Sequence, residues 1–182
     1  MAGARTPPGA SQSESCRADA PSDARPATSD RVAALAGAYS LTLVNTVSGW
    51  LSVGPRGGTL ELWANAEERR AGWPQGTLGR RPGPRPLIGN VRLATAGSGP
   101  YYELLAVLGS DHPDVEVVGT ELYLGAPDAL DAGSQVLRIV HVSSRGFWGT
   151  WNFEVGVASV VDSATGRRFD DPAGFFCALR RR

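Results

Sequence analysis

Apolar and polar residues alternate along much of the chain, most clearly in its C-terminal third. Phe147, Trp151 and Phe153 fall on one parity, whereas Thr150 falls on the other. A period of two residues is typical of a strand with one buried and one solvated face. The pattern therefore predicts a strand over 147–160.

Seven further segments alternate in the same way or form short apolar runs between turn residues. The segment 101–108 also fits helical spacing, but its short length between Gly-Pro and Gly-Ser favours a strand. The segment 115–124 is a predicted strand whose parity switches near Gly119, which indicates a β-bulge or a sharp bend there. The remaining predicted strands are 38–46, 59–64, 87–95, 134–142 and 174–179.

Many short strands without intervening helices indicate an all-β domain, either a sandwich or a barrel. The last segment, 174–179, is apolar on both parities, so an exposed edge there would favour aggregation. A closed sheet has no such edge. We therefore expect a single antiparallel up-and-down β-barrel of about eight strands, in which 134–142 and 147–160 form the clearest hairpin.

The first 29 residues are rich in Ala, Pro and Ser and contain no aromatic residue. Such a segment buries too little apolar area to offset the entropy of ordering it. We therefore expect a flexible tail over 1–29 and a barrel domain over 30–182. Ser29 or Asp30 as a cap, followed by an apolar run up to Gly37, predicts a short helical turn before the first strand.

The overall charge argues against nucleic-acid partners. The chain has 18 Lys+Arg and 18 Asp+Glu, so no net positive field attracts nucleic acid or an anionic membrane. No apolar run reaches the roughly 18 residues of a membrane-spanning helix. The terminal residues 180–182, all arginine, are interpreted as a solvated tail.

The two cysteines, Cys16 and Cys177, lie near opposite ends of the chain. A disulfide between them would attach the N-terminal tail to the last strand and would indicate an oxidising compartment. The alternative is two unrelated thiols, with Cys177 a small buried apolar residue. The first 30 residues lack the apolar stretch of a signal peptide. We therefore expect a periplasmic or secreted protein whose signal is absent from this sequence, with a cytoplasmic location as the alternative.

Catalytic and metal-binding patterns are weak. The segment 111–114, Asp-His-Pro-Asp, is interpreted as a solvated turn, because one histidine and two carboxylates without a further partner do not form a metal site. Gly-x-Ser-x-Gly, Walker-type and Cys-x-x-Cys motifs do not occur. No catalytic residue, metal or cofactor is therefore expected.

The interior of the expected barrel has two interpretations, since its side chains either line a ligand pocket or fill the barrel. His141 shares the parity of Leu137 and Ile139 and is expected to face inwards. Trp73 lies in a long polar connection and either covers the barrel mouth as a lid or packs on the outside. The candidate lining residues are Tyr39, Leu41, Leu43, His141, Trp151 and Phe153.

Other aromatic and acidic residues suggest different functions. Trp148, Trp63 and Trp50 fall on outer parities or in loops, where exposed rings would suit a protein partner. Glu154 lies opposite the aromatic face and is expected to be solvated. With inverted parity it would be a buried carboxylate, and a barrel-cavity isomerase or cyclase would then use Glu154 or His141.

Two short motifs resemble those of calycin barrels, the group that includes lipocalins and avidins. The sequence Gly-Ala-Tyr at 37–39 opens the first strand, where lipocalins have Gly-x-Trp; Gly-Thr-Trp at 149–151 is similar to avidin-like strands. The resemblance implies an apolar ligand inside the barrel, no catalysis and relatives among bacterial envelope proteins. A lipocalin also has an arginine that packs on its tryptophan, and the sequence does not identify that arginine here.

The sequence therefore predicts a non-enzymatic, lipocalin-like barrel that binds a small apolar ligand. The alternative is an envelope structural or protein-interaction domain with a solid core. A barrel-cavity isomerase or cyclase is the third hypothesis.

Overall fold

A computed structural model describes residues 16, 21–46, 56–75, 85–94, 101–109, 119–125, 135–153 and 172–181. This part of the chain contains nine strands and two short helices. The strands are β1 (Arg25–Pro26), β2 (Gly37–Asn45), β3 (Arg56–Ala66), β4 (Arg85–Ala94), β5 (Tyr101–Leu108), β6 (Glu121–Gly125), β7 (Gln135–Ser143), β8 (Gly146–Phe153) and β9 (Gly174–Arg180). The helices are α1 (Ser29–Ala33) and α2 (Glu68–Ala71).

Strands β2 to β9 form a closed antiparallel barrel. Each strand pairs with the next one along the chain, and β9 returns to pair with β2. The predicted all-β, up-and-down barrel of eight strands is confirmed. Because β9 has a neighbour on both sides, the strand that is apolar on both faces has no open edge.

Two local details that the sequence left ambiguous are decided by the structure. The segment 101–108 is strand β5, as its length suggested. Gly119 lies in a turn and β6 begins only at Glu121, so of the two alternatives at Gly119 the chain forms the sharp bend and not the bulge. The register shift of the described sheet lies instead in β7, between Ile139 and His141.

Inward-facing side chains of all eight barrel strands form one apolar cluster. Alternation places Tyr39, Leu41 and Leu43 of β2 in this cluster, together with Phe147 and Trp151 of β8. Full burial of an aliphatic or aromatic side chain contributes about 1.5–3 kcal/mol. The cluster is therefore the main source of the stability of the barrel.

The N-terminal segment is anchored to the outside of the barrel on both sides of β8. Cys16 forms a disulfide with Cys177 of β9, with 5.5 Å between the two Cα atoms. On the other side, β1 pairs with β7 at His141 and Val142. Residues 25 and 26, within the segment predicted to be a tail, are thus part of the sheet.

Helix α1 is the predicted helical turn, and it enters the end of the barrel. Its cap is Thr28 rather than Ser29 or Asp30, since the Thr28 hydroxyl accepts a hydrogen bond from the backbone N–H of Arg31 at 3.4 Å. Val32 of α1 belongs to the interior cluster. The helix therefore closes one end of the barrel.

Candidate functional site

The end of the barrel next to α1 is filled by aromatic side chains. The ring centroids of Tyr39 and Phe147 are 5.0 Å apart at 73°, and those of Phe147 and Phe176 are 5.9 Å apart at 72°. Edge-to-face pairs of this kind add about 0.5–1.5 kcal/mol beyond the burial of apolar area. Val32 and Leu35 pack into the same cluster, so this closed end is solid.

The Tyr39 hydroxyl is a polar group at the closed end, and it both donates and accepts a hydrogen bond. It donates a hydrogen bond to the carbonyl oxygen of Leu35 at 3.0 Å and accepts one from Nη2 of Arg180 at 3.1 Å. The Arg180 guanidinium carbon also lies 5.3 Å from the centre of the ring, within cation–π range. Burial raises the pKa of Tyr39, and the Arg180 charge partly opposes this. The phenol is therefore neutral at physiological pH.

The contact with Arg180 explains why the first residue of the Gly-Ala-Tyr motif, Gly37, is a glycine. Its φ is +144°, and a Cβ at this position would lie 3.0 Å from Nη1 of Arg180. Glycine therefore leaves room for the guanidinium that rests on Tyr39. Arg180 is solvent-exposed, as predicted, but it is not part of a tail, because it is the last residue of β9 and its guanidinium lies over Tyr39.

The opposite end of the barrel, here called the mouth, is where β2, β4, β6 and β8 end. Their last residues are Asn45, Ala94, Gly125 and Phe153. Four of the seven connections between barrel strands start from this end, and α1 lies at the other end. The two ends of the barrel therefore differ, since α1 closes one of them and four connections border the other.

Trp151 lies near the mouth and links three strands. Its indole Nε1 donates a hydrogen bond to the carbonyl oxygen of Val44 on β2 at 2.9 Å, although β9 lies between β8 and β2. The indole crosses β9 at Gly174, where a Cβ would lie 2.8 Å from Nε1. Trp151 therefore faces the interior, and its hydrogen bond links β8 to β2 at this side of the mouth.

The described lining candidates on β2 have almost no accessible surface. The exposed fractions of Tyr39, Leu41 and Leu43 are 0, 0 and 2 %. A ligand-sized gap beside them would leave accessible surface on its walls. Inward-facing side chains with more accessible surface, Leu104 and Gln135, lie on β5 and β7. Val142 of β7, next to the closed end, is also partly accessible, so the partly accessible inward-facing side chains named here lie on β5 and β7.

Gln135 is the first residue of β7 and lies at the mouth. It shares the parity of Leu137 and is the register partner of Leu124, and both leucines belong to the interior cluster. Its side chain therefore faces inwards. Its Oε1 is buried and has no hydrogen-bond partner in the part of the chain that the structure describes.

His141 does not share the inward face of Leu137 and Ile139. The register shift in β7 places it opposite Trp148, which packs on the outer wall with the disulfide. The expectation that His141 faces the interior fails for this reason. A barrel-cavity enzyme would therefore lack one of its two candidate residues.

Trp73 packs on the outer wall, the second of its two expected placements. It is buried against Ile88, Leu105 and Val107, which face outwards from β4 and β5. Its Nε1 also donates a hydrogen bond to Oδ1 of Asn90 at 2.7 Å. Trp73 therefore does not cover the mouth as a lid.

The remaining aromatic candidates offer little free surface. Trp148 is buried beside Cys16 and Cys177, and Trp63 is partly buried beside the Trp73 cluster. Trp50 and Glu154 lie outside the described residues, and Phe153 is described only as the last backbone position of β8. Of the large apolar side chains described, only Val140 is exposed, at 40 %.

A buried carboxylate on the outer wall was not found by sequence reasoning. Glu121 of β6 accepts hydrogen bonds from Nε of Arg138 at 2.8 Å and from the Tyr123 hydroxyl at 3.1 Å. Both of its oxygens therefore have partners, which suits a structural role. This pair could have been found only from the strand register, which places Glu121 opposite Arg138. A single sequence does not provide that register.

Neither a metal site nor a membrane-crossing helix is found in the ranges described. No three His, Cys, Asp or Glu side chains among these residues are placed to hold a metal ion. No helix in the same ranges is long and apolar enough to span a bilayer.

Comparisons of this chain with protein-family models, curated proteins and solved structures yield no significant match. The fold itself defines the class: a closed, eight-stranded, antiparallel β-barrel, compatible with the calycin architecture.

Proposed function

We propose that the protein is a non-catalytic, lipocalin-like barrel that binds a small apolar ligand at its mouth. The observation that carries the proposal is the difference between the two ends. Helix α1 and three aromatic rings fill one end, whereas Leu104 and Gln135, nearer the other end, are only partly buried. The mouths of β-barrels are a common place for small-molecule sites.

The inner surface suits an apolar ligand. The described interior cluster consists of aliphatic and aromatic side chains, and the Tyr39 hydroxyl within it is already hydrogen-bonded. Ligand sites are mostly apolar with a few polar groups that orient the ligand. This inner surface supports an apolar molecule rather than an ion as the ligand.

The burial of the β2 side chains limits how deep the ligand lies. Tyr39 and Leu41 contact other side chains on all sides and form the floor of the site. The ligand then rests above this floor, on the side of Leu104. Of the lining residues predicted from the sequence, only those nearest the mouth would contact the ligand.

The Tyr39–Arg180 contact supports the likeness to lipocalins. In that family an arginine packs on the tryptophan of Gly-x-Trp, and here Arg180 packs on the tyrosine of Gly-Ala-Tyr. The disulfide supports an oxidising, extracytoplasmic location, since cytosolic thiols are normally kept reduced.

A fluorescence titration with the apolar probe N-phenyl-1-naphthylamine tests the proposal. We expect saturable binding by the wild-type protein and clearly weaker binding by Leu104→Phe, which fills space on the accessible side. Val140→Phe adds a ring to the outer wall and is the matched control; it should bind like the wild type. A folded wild-type protein that does not take up the probe would refute the proposal.

A solid interaction domain is the second candidate, and the dense packing around Leu41 and Leu43 favours it. Its outer surface would include the partly buried side chains of Val44, Phe175 and Leu179. Native mass spectrometry of protein purified from its own host separates the two. A bound small mass favours the ligand-binding barrel, and a stoichiometric protein partner favours the interaction domain.

A further inference from the structure

The geometry points to residues 21–27 as a strap that covers the end of β7, opens separately from the barrel and is latched in place by the Cys16–Cys177 disulfide. The strap lies on the outer wall, so its opening does not depend on a bound ligand. Opening uncovers a strand edge while the barrel itself stays folded.

The end of β7 lacks a barrel neighbour on the β6 side. Pairing with β6 reaches Arg138, and the next residue, Ile139, donates its N–H to the carbonyl oxygen of Thr120 at 2.9 Å. Thr120 lies in a turn, so β6 does not continue along β7. Without the strap, residues 140–142 would be an open edge in a closed sheet, and such edges pair readily with other extended chains.

The strap covers this edge through its backbone. Strand β1 lies opposite residues 141 and 142, and the N–H of Ala27 donates a hydrogen bond to the carbonyl oxygen of Val140 at 2.8 Å. Successive N–H groups of a strand point to opposite sides, so the residue before Ala27 would direct its N–H outwards. That residue is Pro26, which has no N–H. The strap therefore covers the edge of β7 without offering a full new edge of its own.

Little apolar burial holds the strap. No side chain of residues 21–26 is fully buried, and both residues of β1 are exposed. Asp23 forms an ion pair with Arg145 at 3.0 Å, but the two side chains are 47 % and 66 % exposed, and exposed ion pairs contribute little to stability. The next element, α1, is different, because Val32 is completely buried in the interior cluster. Segments with few buried contacts open more easily than the rest of a fold, so we expect the hinge between the strap and α1.

The disulfide holds the other end of the strap. Cys16 precedes the strap in the chain, and its bond to Cys177 of β9 is buried beside Trp148. While the bond is intact, the strap is tethered at both ends, and a tethered segment re-forms its contacts at a high effective concentration. Without the bond only the α1 end is held, so the open state becomes more populated.

Native-state hydrogen exchange, followed by NMR at low urea concentrations, tests the inference. The amides of Ala27, Val32 and Ile139 report on the strap, α1 and the barrel wall, since each donates a backbone hydrogen bond. Local opening exposes little surface, so exchange through it barely depends on urea, whereas exchange through global unfolding accelerates. We expect the Ala27 amide alone of the three to exchange independently of urea. Its exchange should be at least about 10-fold faster in the double variant Cys16→Ser with Cys177→Ser.

Three further proteins separate the latch from general stability. Val91→Ala truncates a buried side chain of β4 and is the matched control; it should speed the exchange of Ile139 by weakening the barrel and leave the Ala27 rate unchanged. Asp23→Asn removes the exposed ion pair and keeps the disulfide, so it should change the Ala27 rate by less than about 5-fold. Wild-type protein reduced with dithiothreitol repeats the loss of the latch without a substitution.

Each outcome supports or overturns a defined part of the inference. If Ala27 exchange accelerates with urea together with Ile139 exchange, the strap opens only when the barrel unfolds and the inference is overturned. An unchanged Ala27 rate after loss of the disulfide would show that the bond is not the latch. If Val32 exchanged with the same urea independence and at the same rate as Ala27, the opening segment would include α1, and the hinge before α1 would be overturned.

Discussion

The guanidinium of Arg180 donates a hydrogen bond to the Tyr39 hydroxyl at 3.1 Å and lies over the Tyr39 ring, 5.3 Å from its centre. These residues are 141 positions apart in the chain. The contact joins the last residue of β9 to the first strand of the barrel, next to α1. It therefore secures the barrel where its two terminal strands meet.

Removing the Tyr39 hydroxyl should weaken this junction. Tyr39→Phe leaves the Leu35 carbonyl oxygen without its donor, so we expect the free energy of unfolding to fall by about 1–2 kcal/mol. In a double-mutant cycle with Arg180→Met, measured by urea unfolding, the coupling should be about 1 kcal/mol. Arg181→Met, at an exposed neighbour, should change stability by less than about 0.5 kcal/mol. Additive effects of the two main substitutions would contradict a direct contact.

The raised pKa of Tyr39 predicts a loss of stability at high pH. An unfolded tyrosine ionises near its ordinary pKa of about 10, whereas buried Tyr39 keeps its proton to higher pH. Above about pH 10 the unfolded state therefore binds fewer protons than the folded state, and the free energy of unfolding falls as pH rises. Urea unfolding between about pH 9 and 11 should show a shallower fall for Tyr39→Phe. Equal slopes for the two proteins would rule out this contribution.

Gly174 should tolerate no larger residue. A Cβ there would overlap the Val44 carbonyl oxygen and would also meet Nε1 of Trp151. Gly174→Ala should therefore cost about 2–4 kcal/mol, from backbone displacement and the lost indole hydrogen bond. Gly72→Asn is the control, since Gly72 has open space around it and asparagine accepts its φ of +73°. Chemical denaturation that gives similar stabilities for both variants would refute the close approach at Gly174.

Loss of the disulfide should destabilise the fold and uncover Trp148. Cys16 and Cys177 are separated by 161 positions, so their bond restricts a long loop in the unfolded chain. Removing a native disulfide costs roughly 2–5 kcal/mol. Cys16→Ser should show a loss of this size in urea, together with greater quenching of tryptophan fluorescence by acrylamide.

The matched control for the disulfide is the double variant Cys16→Ser with Cys177→Ser. A reducing agent should destabilise the wild-type protein and leave the double variant unchanged. A wild-type protein whose stability does not respond to complete reduction, verified by mass, would show that the disulfide does not hold the N-terminal segment in place.

Alternation along the chain predicted the inward-facing residues correctly where a strand buries a single face. It assigned Tyr39, Leu41 and Leu43 to the interior, and Phe147 and Trp151 likewise. Burial of one face enforces strict alternation, because a slip by one residue would expose the whole apolar set. The same rule failed for His141, where the register shift after Ile139 exchanges the two faces. No glycine or proline marks that shift in the sequence.

The candidate site was only partly predictable. Trp151 was recognised as an interior residue, but its bond to Val44 depends on a strand that the sequence does not place between them. Gln135 carried no signal, since an isolated glutamine at the start of a strand is ordinary in sequence. That its side chain faces inwards follows from its register partner Leu124.

The sequence by itself determined the eight strands of the barrel and the need for closure, because an apolar last strand cannot remain an open edge. These are properties of neighbouring residues, and they can be read along the chain. Only the tertiary structure decided that Arg180 rests on Tyr39, that Cys16 reaches Cys177 and that Trp73 lies outside the barrel. Contacts between distant residues follow from strand register and from the closure of the sheet, and many registers are compatible with the same local alternation.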